Sequence, residues 1–124
     1  VFYDSKDQKI PHDQQIEKGS RYDWNWYLYD VTESGKIMEA NGNDLIQFTF
    51  AGECLVDIKL STMSDYTVVE LTQKYIPTDD LSKVNIRLGC DSGWSFFLVN
   101  LKSVYEGGLD LRNKDISAKG MVNC

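Results

Sequence analysis

The sequence predicts an α+β domain in which a meandering antiparallel β-sheet wraps around one long C-terminal helix. Three observations lead to this prediction. Several short segments alternate apolar and polar residues, tight-turn residues separate them, and only residues 91–112 keep apolar side chains at helical spacing for more than three turns. With 124 residues, 42% apolar and 26% charged, the chain fits a single domain with one core, residues 1–124.

The N-terminal part predicts little regular structure before its first long strand. Residues 1–3 can form a short strand, whereas residues 4–20 are polar and predict a loop or a pair of turns. Residues 21–29 alternate strictly, which predicts a strand with one buried aromatic face. The side chains on that face are Tyr22, Trp24, Trp26 and Leu28.

The middle of the chain predicts successive hairpins. Residues 33–35 and 41–44 are turn sequences on either side of a short strand at 36–40. Three half-buried strands follow, at 45–50, 54–61 and 67–76, with a polar tip at 62–65. Their inward-facing residues are Ile46, Phe48 and Phe50, then Cys54, Val56, Ile58 and Leu60, then Val69, Leu71, Gln73 and Tyr75.

The C-terminal part predicts the long helix. Pro77 ends the last strand, and residues 78–80 can cap a short helical turn that runs to about Lys83. The long helix is predicted over residues 92–106, capped by Asp91 or Ser92 and stopped by glycines at 107–108, with a tail folded back along the surface. Its apolar stripe, which we expect to be buried, consists of Trp94, Phe97, Leu98, Leu101 and Tyr105.

Composition argues against several classes of function. The net charge is −6 and the basic residues are scattered, so no nucleic-acid partner is predicted. No apolar run reaches the ~20 residues of a membrane span and no signal peptide is recognisable, so we predict a cytoplasmic protein without a membrane span. The cysteines, Cys54, Cys90 and Cys124, are odd in number and widely spaced, which predicts reduced thiols rather than disulfides or a zinc site.

The residues that carry chemistry favour a protein that is not an enzyme, without excluding one. The only histidine, His12, lies in the polar N-terminal loop, a poor place for a catalytic base. No metal-ligand set or phosphate-binding glycine loop is present, so we predict no catalytic residue, metal or cofactor. Asp23, Asp57 and Glu70 fall on the polar side of their strands, where we expect solvent around them.

The aromatic residues of the inward face have two interpretations. They can line a pocket for a lipophilic molecule, or they can simply fill a core. Gln73 interrupts an otherwise apolar face, which favours an interior ligand or water as its partner. The alternative is that its amide bonds to a neighbouring backbone group.

Several short motifs resemble one known superfamily. Gly93-Trp94 opens the helical segment, Phe96-Phe97-Leu98 and Asn100-Leu101-Lys102 follow, and Glu106-Gly107-Gly108 ends it. Gly35-Lys36-Ile37-Met38-Glu39 and Tyr75-Ile76-Pro77 match two further motifs. Over residues 19–112 the chain therefore resembles the START-like (SRPBCC) superfamily, in particular the branch homologous to the C-terminal domain of the activator of the 90-kDa heat-shock protein ATPase.

The resemblance implies a helix-grip fold, in which the sheet encloses an apolar cavity against the C-terminal helix. It also implies that a strand and two small helices of the family would precede Val1. Without them a sheet edge is exposed, and we expect that the chain can form a homodimer through such an edge.

The superfamily includes lipid or hormone binders, chaperone activators and polyketide cyclases. Our first hypothesis is a non-enzymatic START-like domain that binds a small hydrophobic ligand between sheet and helix. The alternative is a co-chaperone-like partner of an ATPase chaperone, and the third is a polyketide cyclase-like enzyme. The predicted ligand-binding residues are Trp24, Trp26, Phe48, Phe50, Gln73, Tyr75, Phe97 and Leu101.

Overall fold

The structure, a computed structural model, describes residues 1–26, 29–115 and 117. The protein has an α+β fold with a six-stranded antiparallel open sheet and a long C-terminal helix. The chain divides into a sheet unit, Val1–Trp24 and Thr32–Tyr75, and a helical unit, Asn25–Val31 and Ile76–Cys124. The α+β class and the antiparallel meander are thus confirmed, while the wrapping of the sheet around the helix stays a prediction.

The strands follow one another across the sheet in chain order, so that each lies beside its neighbour in sequence. Short turns between alternating segments produce this arrangement, because antiparallel neighbours need only a few connecting residues. The strands are β1 (Phe2–Tyr3), β2 (Arg21–Asn25), β3 (Thr32–Ala40), β4 (Leu45–Phe50), β5 (Cys54–Met63) and β6 (Tyr66–Lys74). The predicted strands at 45–50, 54–61 and 67–76 correspond to β4, β5 and β6.

Strand β2 ends earlier than predicted. It stops at Asn25, and the backbone N–H of Trp26 donates to the carbonyl oxygen of Val31 at 3.4 Å across the connection to β3. Trp26 therefore lies beyond the strand. Residues 27 and 28, which the alternation placed in the same strand, lie outside the described residues.

The predicted turn at 33–35 is wrong, because these residues belong to β3. A Cβ at Gly35 would lie 2.6 Å from the hydroxyl oxygen of Tyr22 and 2.5 Å from the carbonyl oxygen of Thr49. The glycine allows a close approach within the sheet rather than a change of chain direction.

The predicted turn at 41–44 is confirmed, and its side chains explain it. The Oδ1 atom of Asn41 accepts backbone N–H bonds from Asn43, Asp44 and Leu45, each at 3.0 Å. Gly42 has a φ of +69°, which an L side chain adopts only under strain. The turn sets β3 and β4 side by side.

One face of the sheet holds the core of the sheet unit. Phe48 of β4 lies between Ile37 of β3 and Val56 of β5, and Val56 in turn faces Gln73 of β6. The alternation in each strand directs its apolar residues to this face. The buried apolar residues of the sheet unit are Tyr22, Ile37, Phe48, Cys54 and Val56.

The long helix begins earlier than predicted and is continuous with the short helical turn before it. Helix α1 covers Asp80–Ser82, a π-helical stretch covers Lys83–Leu88, and helix α2 covers Gly89–Tyr105. Asp91 and Ser92 lie inside α2 and do not cap it, so that prediction is wrong. The predicted cap within residues 78–80 is confirmed and is formed by Asp79, which caps the whole helical run because no break follows Lys83.

The apolar stripe of α2 is buried only in part. Trp94 is buried and meets the ring of Phe97 edge-on, with centroids 5.8 Å apart. Leu101 is exposed and Tyr105 is 87% exposed, so the expected burial of the full stripe is wrong. The C-terminal part of the stripe is therefore accessible to solvent.

The end of α2 agrees with the sequence. Gly107 has a φ of +82°, the left-handed conformation that stops a helix. The chain then folds back, because the side chain of Asn100 accepts the N–H of Leu111 at 2.7 Å and the Ser103 hydroxyl donates to the carbonyl of Leu109 at 2.8 Å. The predicted tail along the surface is confirmed as far as these residues.

Candidate ligand site on the apolar face of the sheet

Two aromatic pairs occupy the apolar face of the sheet. Trp24 and Phe50 lie 5.9 Å apart at an interplanar angle of 63°, and Tyr22 and Phe48 lie 5.7 Å apart at 87°. Both are edge-on arrangements, in which the positive rim of one ring meets the negative face of the other. The structure thus brings together three of the predicted site residues, Trp24, Phe48 and Phe50. It adds Tyr22, which the alternation of β2 already placed on the inward face.

Tyr22 holds this aromatic wall in place through its hydroxyl group. The hydroxyl donates to the carbonyl oxygen of Thr49 at 2.6 Å. Burial raises the pKa of Tyr22, and the negative charge of Glu33 raises it further. The phenol therefore stays protonated at physiological pH and acts as a fixed donor, not as an acid or base.

Gln73 and Tyr75 occupy different surroundings although the sequence placed both on the inward face. Gln73 is half-buried beside Val56, and its amide nitrogen is inaccessible to solvent. Tyr75 follows the end of β6, has a φ of +59° and is 75% exposed. Its carbonyl accepts the thiol of Cys54 at 3.7 Å, while its ring is outside the buried face.

The other three predicted site residues belong to the helical unit. Trp26 is half-buried, Phe97 contacts Trp94, and Leu101 is exposed on α2. The lining of one common cavity by all eight residues stays a prediction.

A hollow of about 270 Å³ opens on the same face as the aromatic pairs, entirely within the sheet unit. The cross-strand pair Ile46–Ile58 contributes to its wall and is two residues along the strands from the pair Phe48–Val56, on the same face. The Gln15 side-chain amide donates to the carbonyl of Gly42 at 3.4 Å, which holds the N-terminal loop at the rim. The residues around it are Gln15, Ile16, Ala40, Gly42, Asn43, Asp44, Leu45, Ile46, Ile58 and Leu60.

None of the eight predicted site residues lines this hollow. The parity of β4 and β5 placed Ile46, Ile58 and Leu60 on the inward face, so part of its lining was visible in the sequence. Gln15 and Ile16 were not, because they lie in a loop without periodicity and reach the sheet only through tertiary contacts.

The opposite face of the sheet carries a buried carboxylate, which the sequence did not predict. Asp57 is only 4% exposed, so the expectation of solvent around it is wrong. Gln47 donates to it at 2.7 Å and Lys74 forms an ion pair with it. Burial raises the pKa of Asp57, but the bonds from Lys74 and Gln47 outweigh burial, so the net pKa is lowered.

Asp23 and Glu70, which the sequence also places on the polar side of their strands, differ in their surroundings. The hydroxyl of Ser34 donates to Asp23 at 2.7 Å and, with Arg21, lowers the pKa of that carboxyl below its usual value. Glu70 is exposed, as expected. Each carboxylate with a lowered pKa stays ionised at neutral pH and is suited to holding a neighbouring donor, not to transferring protons.

His12 is exposed, Cys54 is buried and Cys90 is half-buried. Within residues 1–26 and 29–115, no three metal-binding side chains come together, and no helix there is long and apolar enough to cross a membrane.

Comparisons with protein-family models, with curated proteins and with solved structures give no match to this chain.

Proposed function

We propose that this protein is a non-enzymatic START-like domain that binds a small lipophilic molecule on the apolar face of its sheet. The observation that carries the proposal is the continuity of that face. It runs from the paired rings of Trp24 and Phe50, past Phe48, to the open hollow beside Ile46 and Ile58.

The hollow has the composition expected of a binding site for an apolar group. Ile16, Ile46 and Ile58 supply apolar wall, whereas Gln15 and Asp44 supply polar groups. Binding pockets commonly combine a mostly apolar lining with a few polar groups that orient the ligand.

The size of the hollow indicates how a ligand would lie. About 270 Å³ is slightly below the 300–1,000 Å³ that is typical of ligand pockets. A compact molecule fits it alone, and a longer one fits if it continues along the face towards Phe48 and Phe50. A sheet that carries such a ligand beside a C-terminal helix is the arrangement that the START-like resemblance implies.

A charge placed in the wall of the hollow tests the proposal. Leu60 lines the hollow and is 40% exposed, so Leu60→Glu is expected to fold while making the wall unfavourable for apolar groups. We expect the dissociation constant for a fluorescent apolar dye to rise roughly tenfold, since one buried apolar contact is worth about 1.5 kcal/mol or more. Dye fluorescence titration measures this constant.

Met63→Glu is the matched control. Met63 lies at the end of the same strand, is 66% exposed and is not part of the hollow. It should leave dye binding unchanged, and circular dichroism should show both variants folded. Equal dye binding by the two folded variants and the parent protein, or no dye binding by the parent, would refute the proposal.

A further inference from the structure

Strand β6 forms one edge of the sheet and is long for an edge strand. All nine residues of Tyr66–Lys74 are in register with β5, and within the sheet unit β6 has a neighbour on one side only. Such an edge presents a row of backbone N–H and C=O groups that can pair with another strand. Its sequence contains neither proline nor glycine, and Thr67, Val68 and Val69 favour extended backbone.

Side chains of opposite charge lie next to each other on the face of the sheet that carries Asp57, as far as this edge. Lys59 of β5 faces Glu70 of β6, and Asp57 is paired with Lys74. Glu70 is exposed and Lys74 keeps 40% of its side chain exposed. Both are therefore accessible to a strand added beside β6.

We propose that β6 pairs antiparallel with β6 of a second copy of this chain. This inference is independent of ligand binding and assigns the edge through which the homodimer forms. Interfaces of this type are isologous, so each contact occurs twice about a two-fold axis.

The charges select one register for this pairing. A two-fold axis perpendicular to the sheet passes beside one residue of β6, which then faces its own copy. An axis at Glu70 would oppose two carboxylates, and an axis at Leu71 would oppose no charged pair. An axis at Thr72 places Glu70 of each copy directly opposite Lys74 of the other, and directly opposed unlike charges stabilise antiparallel strands.

The length of the pairing predicts a reversible dimer. It covers Glu70 to Lys74 and ends there, because Tyr75 leaves the extended conformation at a φ of +59°. A pairing this short buries less than the 1,200–2,000 Å² of a standard stable interface. The dimer is therefore expected to dissociate on dilution.

Sedimentation velocity over a range of concentrations tests the proposal with the 124-residue chain. Glu70→Lys replaces two attractive contacts by two repulsive ones, and we expect it to raise the dimer dissociation constant roughly tenfold or more. Glu53→Lys is the control, because Glu53 is exposed, lies outside β6 and changes the net charge equally. It should leave the dissociation constant unchanged.

A cysteine at the axis checks the register. In a background with Cys90→Ser and Cys124→Ser, Thr72→Cys should form a disulfide-linked dimer with added diamide, because the two thiols face each other. Thr62→Cys, on the inner strand β5, should not. A chain that is monomeric at every concentration, association that Glu70→Lys leaves unchanged, or equal cross-linking of both cysteine variants would overturn the proposal.

Discussion

At the scale of single residues, Gly35 allows Tyr22 and Thr49 to approach the backbone of β3 closely. Ser34 and Gly35 resemble a turn in the sequence, yet both lie inside β3. The glycine is needed because the ring of Tyr22 occupies the space that a side chain would fill. That ring is held against Thr49 by its hydroxyl, so neither group can move aside freely.

Gly35→Ala is therefore expected to destabilise the protein. Its Cβ would lie 2.5 Å from the Thr49 carbonyl oxygen, and overpacking of this kind costs about 1–3 kcal/mol. The midpoint of urea unfolding measures the loss. Gly93→Ala, at a helical position with no neighbouring atom within 4 Å, should keep or raise the midpoint, and equal midpoints for the two variants would contradict the interpretation.

Asp57 leads to a prediction with a defined pH range. Its pKa is lowered in the folded protein, so its contribution to stability is present above the unfolded value of about 3.9 and is lost as the pH falls through the folded value. The bond to Asp57 raises the pKa of Lys74, so the contribution of Lys74 is lost only as the pH rises through that raised value. The pair thus contributes from about pH 5 to pH 9.

Asp57→Asn is expected to lower the free energy of unfolding by about 1–3 kcal/mol at pH 7, because it leaves Lys74 without its charged partner. The difference from the parent protein should shrink progressively as the pH falls below about 4. Urea unfolding at several pH values measures it. Asp65→Asn, in the exposed turn before β6, serves as the control, and a deficit that persists undiminished at pH 3 would argue against the ion pair.

At the scale of elements, the helical run differs most from its prediction. The sequence predicts a short helical turn to Lys83 and a separate helix from about residue 92, whereas a π-helical stretch joins the two into one helical run. Glycine and polar residues around 89–92 resemble a boundary, but they do not break the run. Extended π-helical backbone is rare, so apolar residues at α-helical spacing do not predict it.

Asp79 is the residue that we expect to hold the start of this run. Its Oδ1 atom accepts the N–H of Ser82 at 2.9 Å, and its backbone carbonyl accepts that of Lys83 at 3.0 Å. Asp79→Ala should speed amide hydrogen exchange at Ser82 and Lys83, whereas Asp79→Asn should preserve slow exchange because asparagine also caps helices. Nuclear magnetic resonance follows each amide, and identical exchange in both variants would show that the cap has no such effect.

At the scale of the whole molecule, the sheet agrees with its prediction because short-range patterns determine it. The alternation in β4, β5 and β6 and the turn at 41–44 require only neighbours in sequence, and all are observed. Three of the candidate site residues, Trp24, Phe48 and Phe50, likewise lie on the aromatic face for that reason.

The sequence by itself determined the α+β class, the strand order expected of a meander and the apolar face of the sheet, because each depends on periodicity and turn chemistry over a few residues. Only the tertiary structure decided the hollow beneath Gln15 and Ile16, the burial of Asp57 and the exposure of Tyr75. These features depend on side chains that meet across the sheet or from a loop without periodicity. The pattern of one strand carries no information about what will cover it.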